Sequence, residues 1–204
     1  MELVVATRNK DKVREIKELL SDLKVRILTH EDFPNFPSVV EDGKSLKENA
    51  LKKARAIAKF TGKLALADDS GLEVEALGGA PGVFSSRFAG ENATYEDNNQ
   101  KLLSLLKGVP PEKRGAVFRC VIAIIDPEGR EVVVEGVCRG RITEKPRGKG
   151  GFGYDPVFEP EGSERTFAQM SLEEKNRISH RAKALKKAKE ALRKLKVLSG
   201  YGSS

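Results

Sequence analysis

The sequence predicts a mixed-sheet α/β fold, and three observations predict it. Short apolar runs alternate with segments of helical spacing through the first half of the chain. Two longer apolar runs then flank the turn signal Pro127-Glu128-Gly129, as a β-hairpin requires. No repeat, low-complexity segment or clean linker interrupts the 204 residues, enough for one full-sized domain or two small lobes sharing a core. Hydrophobic residues at 39% and nine Phe supply that core, while 33% charged residues keep it soluble, which excludes a disordered chain, a collagen and a disulfide scaffold. No apolar run approaches the ~20 residues of a membrane span. The opening Met1 to Ala6 has no basic stretch ahead of a long apolar one, so a cytoplasmic protein is expected.

Each element follows from local pattern. Leu3 to Ala6 is too short for a helix and reads as a strand. The polar turn Thr7 to Lys12 follows, and Val13, Ile16, Leu19 and Leu20 recur at helical spacing. Val25 to Leu28 reads as a second strand, and Phe33 to Pro37, with two prolines, as a loop. Ser45 and Glu48 form a capping box for a helix whose apolar face runs from Leu46 to Ala58 and which Gly62 stops. Leu64 to Ala67 is a buried strand leading into Asp68-Asp69-Ser70-Gly71. Gly78 to Gly82 is a loop, Thr94 and Asp97 cap a helix carrying Leu102, Leu103, Leu105 and Leu106, and the hairpin spans Phe118 to Val137. Ser171 and Glu174 cap one long helix ending near Gly200, with a loose tail over 200–204.

Cys120 and Cys138 are too few for a zinc site or a framework and are expected as buried free thiols. The formal charge of +7 is concentrated: ten Lys and Arg against three Glu lie between Ser171 and Leu198, leaving the rest of the chain neutral. Such a run reads as a solvated helix face or as a nucleic-acid contact.

Four clusters carry chemistry. The turn Thr7-Arg8-Asn9-Lys10-Asp11-Lys12 lies between strand and helix, where amides, the helix dipole and lysines attract phosphate, although it lacks the glycines of a Walker loop. Asp68-Asp69 at the end of a buried strand offers carboxylates to a hard cation, with Glu41 as a second ligand; alternation turns only one of the two aspartates to the site. An Asx-type turn explains Asp-Ser-Gly equally well. Gly148 to Asp155 places Phe152 and Tyr154 among glycines, suited to a flat base, with Asp155 offering acceptors. Lys175, His180 and Arg181 follow on the capped helix as donors for a carbonyl or phosphate.

Several motifs occur in register: Thr7-x-Asn9-x-x-Lys12, Glu48-Asn49-Ala50, Asp68-Asp69-Ser70-Gly71-Leu72, Leu77 to Gly82, Gly151-Phe152-Gly153-Tyr154-Asp155-Pro156, and Glu174-Lys175-Asn176-x-x-Ser179-His180-Arg181. Together they resemble the inosine/xanthosine triphosphate pyrophosphatase family, across about residues 2–198. The resemblance implies a single domain over 1–204, with two lobes around a long, twisted mixed β-sheet flanked by helices. It implies a Mg²⁺-dependent hydrolysis of ITP, dITP and XTP to monophosphate and pyrophosphate, and a homodimer without nucleic-acid or membrane partners. It assigns Thr7 to Lys12, Lys53 and Ser70 to the triphosphate, Glu41 and Asp69 to Mg²⁺, and Asp69 to the attacking water. It assigns Phe152, Gly153, Tyr154, Asp155, Lys175, His180 and Arg181 to the base. Arg8 departs from the family, where many relatives have glycine, so the direction of its guanidinium is open. Donors aimed at a 6-oxo group would leave the 6-amino group of adenine facing donors, a mismatch that discriminates by roughly 10⁴ or more. A related pyrophosphatase with another base preference and a nucleic-acid-binding module are the alternatives. Phe84 and Phe88, in a Gly-bounded segment, need cover from the chain's core or from a second subunit.

Overall fold

The structure, a computed structural model, describes residues 1–200, with side chains through residue 195. Of the tail expected over 200–204, Gly200 instead closes the last helix, and 201–204 lie outside the described residues. Six strands form one sheet in the order β2-β1-β3-β4-β5-β6. They are β1 (Glu2–Val5), β2 (Arg26–Leu28), β3 (Leu64–Val74), β4 (Gly115–Ile125), β5 (Glu131–Ile142) and β6 (Phe158–Pro160). The helices are α1 (Lys10–Leu19), α2 (Leu46–Thr61), α3 (Tyr95–Leu105), α4 (Leu172–Ile178) and α5 (His180–Gly200). β1 pairs in parallel with β2 and with β3, as strand–helix–strand order requires, whereas β5 and β6 are antiparallel. The sheet is therefore mixed, as expected.

The described chain divides into two compact units, 1–69 with 121–136 and 182–200, and 70–120 with 137–181. In the first, Leu3, Val4, Ile16, Ala50, Ala54, Ile57 and Leu66 are fully or almost fully buried, so the apolar stripes predicted for α1 and α2 are the buried faces. Ser45 caps α2 through Glu48 N, and Gly62 ends it in the left-handed region. In the second, Leu72, Leu102, Leu106, Phe118, Phe158 and Phe167 build an aromatic-rich core. Cys120 and Cys138 are buried and free.

Three expectations change. β3 does not end at Ala67 but continues to Val74, so Asp68-Asp69-Ser70-Gly71 lies inside a strand and the Asx-turn reading is excluded. Leu72 and Val74, both fully buried, explain the continuation. The single C-terminal helix is two: Ser179 adopts an extended backbone (φ −68°, ψ 157°) that breaks it between Ile178 and His180. Ser179 is fully buried, so packing rather than helix propensity sets that break. Finally, β6, three residues long, has no periodic signal and was not expected.

Candidate active site

The first unit gathers two lysines and three carboxylates. Lys53, on the buried face of α2, places Nζ 2.7 Å from Glu41 Oε1 and 3.6 Å from Asp69 Oδ1. The same ammonium donates to the Asp68 carbonyl at 2.6 Å. Lys12, on the first turn of α1, lies 3.3 Å from Asp68 Oδ2. Strand alternation thus sends the two aspartates to different lysines, but it does not remove Asp68 from the cluster, because Lys12 reaches it from the Thr7–Lys12 turn.

Local sequence explains how each group is held. Asn9 caps α1, its Oδ1 accepting from Asp11 N and Lys12 N, while Thr7 Oγ1 accepts from Asn9 N. Those three amides are satisfied within the turn, so an anion there meets the Thr7 hydroxyl, the Asn9 amide and the lysines; Lys10 is exposed at the helix start. Arg8 turns away from this set: its guanidinium donates to the Phe36 carbonyl and lies 5.9 Å from the Phe36 ring. Glu41 is positioned by the α2 N-terminus. Asn49 Oδ1 accepts from Gly43 N at 2.8 Å and Glu48 from Lys44 N at 2.7 Å. A Cβ at Gly43 would meet Asn49 Oδ1 at 2.6 Å, so only glycine allows the loop to lie this close.

Electrostatics separates the carboxylates. Burial pushes the Asp69 carboxyl above its ordinary value, and the charges of Lys53 and Lys12 offset this only in part. Burial also pushes Glu41 up, but the charge and hydrogen bond of Lys53 outweigh it and hold Glu41 below the usual range. For Lys53, desolvation favours the neutral amine, yet Asp69, Asp68 and Glu41 together raise it above the ordinary lysine value.

Among the described residues no group of three or more His, Cys, Asp or Glu gathers as a metal cage. Mg²⁺ takes one or two carboxylates and fills its remaining positions with water and substrate phosphates, so Glu41 and Asp69 have the chemistry to hold it. Asp69 Oδ2 is buried without a hydrogen-bond partner, an orphaned acceptor of the kind a cation satisfies.

The second unit holds the remaining assigned residues, with Ser70 directly following Asp69 along β3. Asp155 Oδ2 accepts from Lys175 Nζ at 2.7 Å and from Phe152 N at 3.0 Å, both charged groups being almost wholly buried. Lys175 Nζ lies 4.8 Å from the Phe152 ring centroid, and Arg181 Cζ lies 5.5 Å from it. The break at Ser179 lets residues of two helices meet one ring. Arg181 Nη2 donates to Ser70 Oγ at 3.2 Å. His180 stacks on Phe118 with centroids 4.4 Å apart and planes 8° apart, which fixes the imidazole plane. The Tyr154 hydroxyl donates to Ser85 O at 2.6 Å, and burial holds its pKa above the ordinary phenol value. Tyr154 is thus a loop anchor. Gly153, between Phe152 and Tyr154, has φ +61°.

Sequence reasoning missed Tyr95, Asn98 and Asn99 of α3, which hold this loop and its neighbour. Adjacent asparagines inside a helix, where they are weak formers, are the signal that could have found them. Part of the basic α5 run is engaged by the protein itself: Lys189 Nζ lies 2.6 Å from Asp22 Oδ1, and Lys187 donates to Glu135 O at 2.6 Å. No described helix is long and apolar enough to cross a membrane.

Residues 3–191 match the Ham1 family. The chain is 56% identical over 195 residues to a dITP/XTP pyrophosphatase of Desulforamulus reducens, covering 96% of this chain and 97% of that one. It is 55% identical to a dITP/XTP pyrophosphatase of Geobacter sulfurreducens, over 93% of this chain and 96% of the relative. A solved HAM1 protein from Coxiella burnetii superposes with TM-score 0.86 at 44% identity, over 95% of this chain and 99% of that one. The Ham1 protein of Staphylococcus aureus gives 0.84 at 38% identity, over 95% and 98%.

Proposed function

The chain belongs to the Ham1 family, and from that membership we propose that it is a nucleoside triphosphate pyrophosphatase acting on deaminated purine nucleotides. Its substrates are ITP, dITP and XTP, and each is hydrolysed with one water to the monophosphate and pyrophosphate, cleansing the precursor pool. The observation that carries this reading is the likeness to curated dITP/XTP pyrophosphatases over almost the whole of both chains.

Glu41 and Asp69 hold Mg²⁺ in this reading, supported by the buried Asp69 Oδ2 that has no hydrogen-bond partner. When bound, the ion supplies positive charge against the charge growing on the leaving pyrophosphate. Lys12, with Thr7 and Asn9 beside it, binds the triphosphate. Lys53 draws Glu41 and Asp69 together, its ammonium within 3.6 Å of both, and its charge favours the ionised form of each. Asp69 orients the attacking water and accepts its proton. The water oxygen bonds to the α-phosphorus, and the bond to the β-phosphate bridging oxygen breaks, with its electrons leaving on pyrophosphate.

Phe152 offers a ring face to the base, and Asp155 with Lys175 fixes the loop that carries it. Arg181 and His180 donate to the 6-oxo group. Adenine would turn its 6-amino donor toward these donors and leave them unpaired. Lys175 and Arg181 also place positive charge beside Phe152, which suits an electron-rich carbonyl edge.

Two further statements belong to this reading. The protein is a homodimer in which a second subunit covers Phe84, which is 57% exposed beneath Arg87. A pool-cleansing role places it in the cytoplasm with the nucleotides it acts upon. The test is pyrophosphate release from ITP, XTP, dITP, GTP and ATP, with and without Mg²⁺. Metal-dependent release confined to the deaminated purines supports the reading, and equal release from ATP refutes it.

A further inference from the structure

One face of α3 holds the base loop from behind. Tyr95 and Asn99, four residues apart, share that face. The Tyr95 and Phe152 rings lie 6.0 Å apart at 48°. Asn99 Nδ2 donates to the Gly153 carbonyl at 3.0 Å. The next residue toward the N-terminus, Asn98, secures the neighbouring segment, accepting from Ala89 N at 2.8 Å and donating to Ser86 O at 3.1 Å. The Tyr154 hydroxyl joins the two segments through Ser85 O at 2.6 Å. The loop is therefore fastened to α3 directly at Gly153 and indirectly through Ser85.

Gly153 is the natural weak point of that loop. It has φ +61°, and glycine leaves this conformation for others at little cost. Any rotation there changes the angle between the Phe152 ring on one side and the Asp155 carboxylate on the other. A hydrogen bond on the Gly153 carbonyl is what resists it. Asn99 is buried, and its Oδ1 has no hydrogen-bond partner among the described residues. An apolar side chain would leave no orphaned acceptor at this buried position, and alanine or leucine would have better helix propensity. The bond to Gly153 is the interaction that accounts for an amide here.

We infer that Asn99 and Tyr95 are positioning residues for base selection: Asn99 fixes the Gly153 peptide, Tyr95 limits the tilt of Phe152, and together they set the geometry in which a purine edge is read. This rests on the base-site reading given above. Neither residue belongs to the phosphate group, so their effect falls on the base and not on pyrophosphate.

The experiment compares Asn99→Leu, Tyr95→Ala and Tyr95→Phe with the wild type. The readouts are kcat/KM for ITP and ATP, calorimetric binding of IMP, inhibition by pyrophosphate, and Tm. Asn99→Leu lowers the ITP-to-ATP ratio and weakens IMP binding by roughly three- to tenfold, the worth of one hydrogen bond. Pyrophosphate inhibition stays near wild type, and Tm reports separately any strain from the larger buried side chain. Tyr95→Ala, at a side chain 44% exposed and safe for folding, shifts the ratio the same way, while Tyr95→Phe keeps the ring and restores it. An unchanged ratio in both Asn99→Leu and Tyr95→Ala overturns the inference, as does equal weakening of IMP and pyrophosphate. A wild type that does not prefer ITP to ATP overturns the base-site reading and this inference together.

Discussion

Arg181 donates from Nη2 to the Ser70 hydroxyl at 3.2 Å, so the arginine assigned to the base is anchored on the residue that follows Asp69 in β3. Arg181 is 2% exposed, and a guanidinium so deeply buried keeps its direction only while its partners hold it. Ser70 thereby supports the Arg181 guanidinium while standing next to Asp69 in the chain.

Removing Arg181 or His180 should change which base is accepted more than how tightly phosphate is held. Arg181→Ala should lower the ITP-to-ATP ratio of kcat/KM by about tenfold or more, the loss of a charged hydrogen bond, and His180→Ala should lower it by roughly three- to tenfold, the loss of one donor. Ser70→Ala should produce a smaller fall of the same kind through Arg181. Lys12→Ala should depress both substrates alike. Steady-state kinetics on the two nucleotides checks all four, and an unchanged ratio in the Arg181 and His180 variants removes them from base reading.

Asp69→Asn should abolish turnover while making the metal-free protein more stable at neutral pH. The folded pKa of Asp69 lies above its unfolded value, so its ionisation works against the fold at pH above the ordinary carboxylate range of about 4. Below that range both states carry the proton and the variant's advantage disappears. Thermal melts from pH 3 to 8 without divalent ions check the sign. Adding Mg²⁺ should raise the Tm of the wild type more than that of Asp69→Asn.

Lys53→Met should destabilise the protein at neutral pH by about 3–5 kcal/mol, the usual consequence of removing one partner from a buried ion pair. The folded pKa of Lys53 is raised, so its contribution is fully present below the unfolded value near 10.4 and is lost only as pH rises through the folded one. Glu41 acts in the opposite direction: its folded pKa is lowered, so its contribution is present above about 4.3 and fades in acid. The deficit of Lys53→Met should therefore shrink as acid protonates the carboxylates. Urea titrations in steps from pH 7 down to pH 2 follow the loss, and a deficit that stays constant across that range contradicts the account.

Phe84→Glu should convert a dimer to a monomer with unchanged circular dichroism, because a two-fold axis sets two like charges against one interface. Light scattering reads the mass directly. A variant that remains dimeric removes Phe84 from the interface.

Elements set by short-range chemistry were legible in the sequence, and those set by packing were not. Ser45, Gly62 and Thr94 mark their helix ends because capping is decided within a few residues. The continuation of β3 through Asp68-Asp69-Ser70-Gly71 was hidden, since a polar tetrapeptide with glycine looks like a turn until Leu72 and Val74 are seen buried beyond it. The break at Ser179 was hidden for the same reason, because its extended backbone depends on complete burial and on no local signal. At the site, residue types pointed to Lys12, the carboxylates and the aromatics, and Lys53 entered only through the family resemblance, but neither gave their pairing. That Lys12 meets Asp68 while Lys53 meets Glu41 and Asp69 is a fact of three-dimensional packing. The direction of Arg8, toward the Phe36 carbonyl, was equally out of reach from spacing alone.

The central claim is hydrolysis between the α- and β-phosphates with selection for a 6-oxo purine. It is tested most directly by incubating equal concentrations of ITP and ATP with the wild type and Mg²⁺, then separating all nucleotides and measuring pyrophosphate. The account predicts IMP and pyrophosphate in equal amounts while ATP persists, with a kcat/KM ratio of roughly 10⁴, the discrimination expected of an unpaired buried polar site. Formation of AMP at a comparable rate, or of IDP and inorganic phosphate in place of IMP and pyrophosphate, would contradict it.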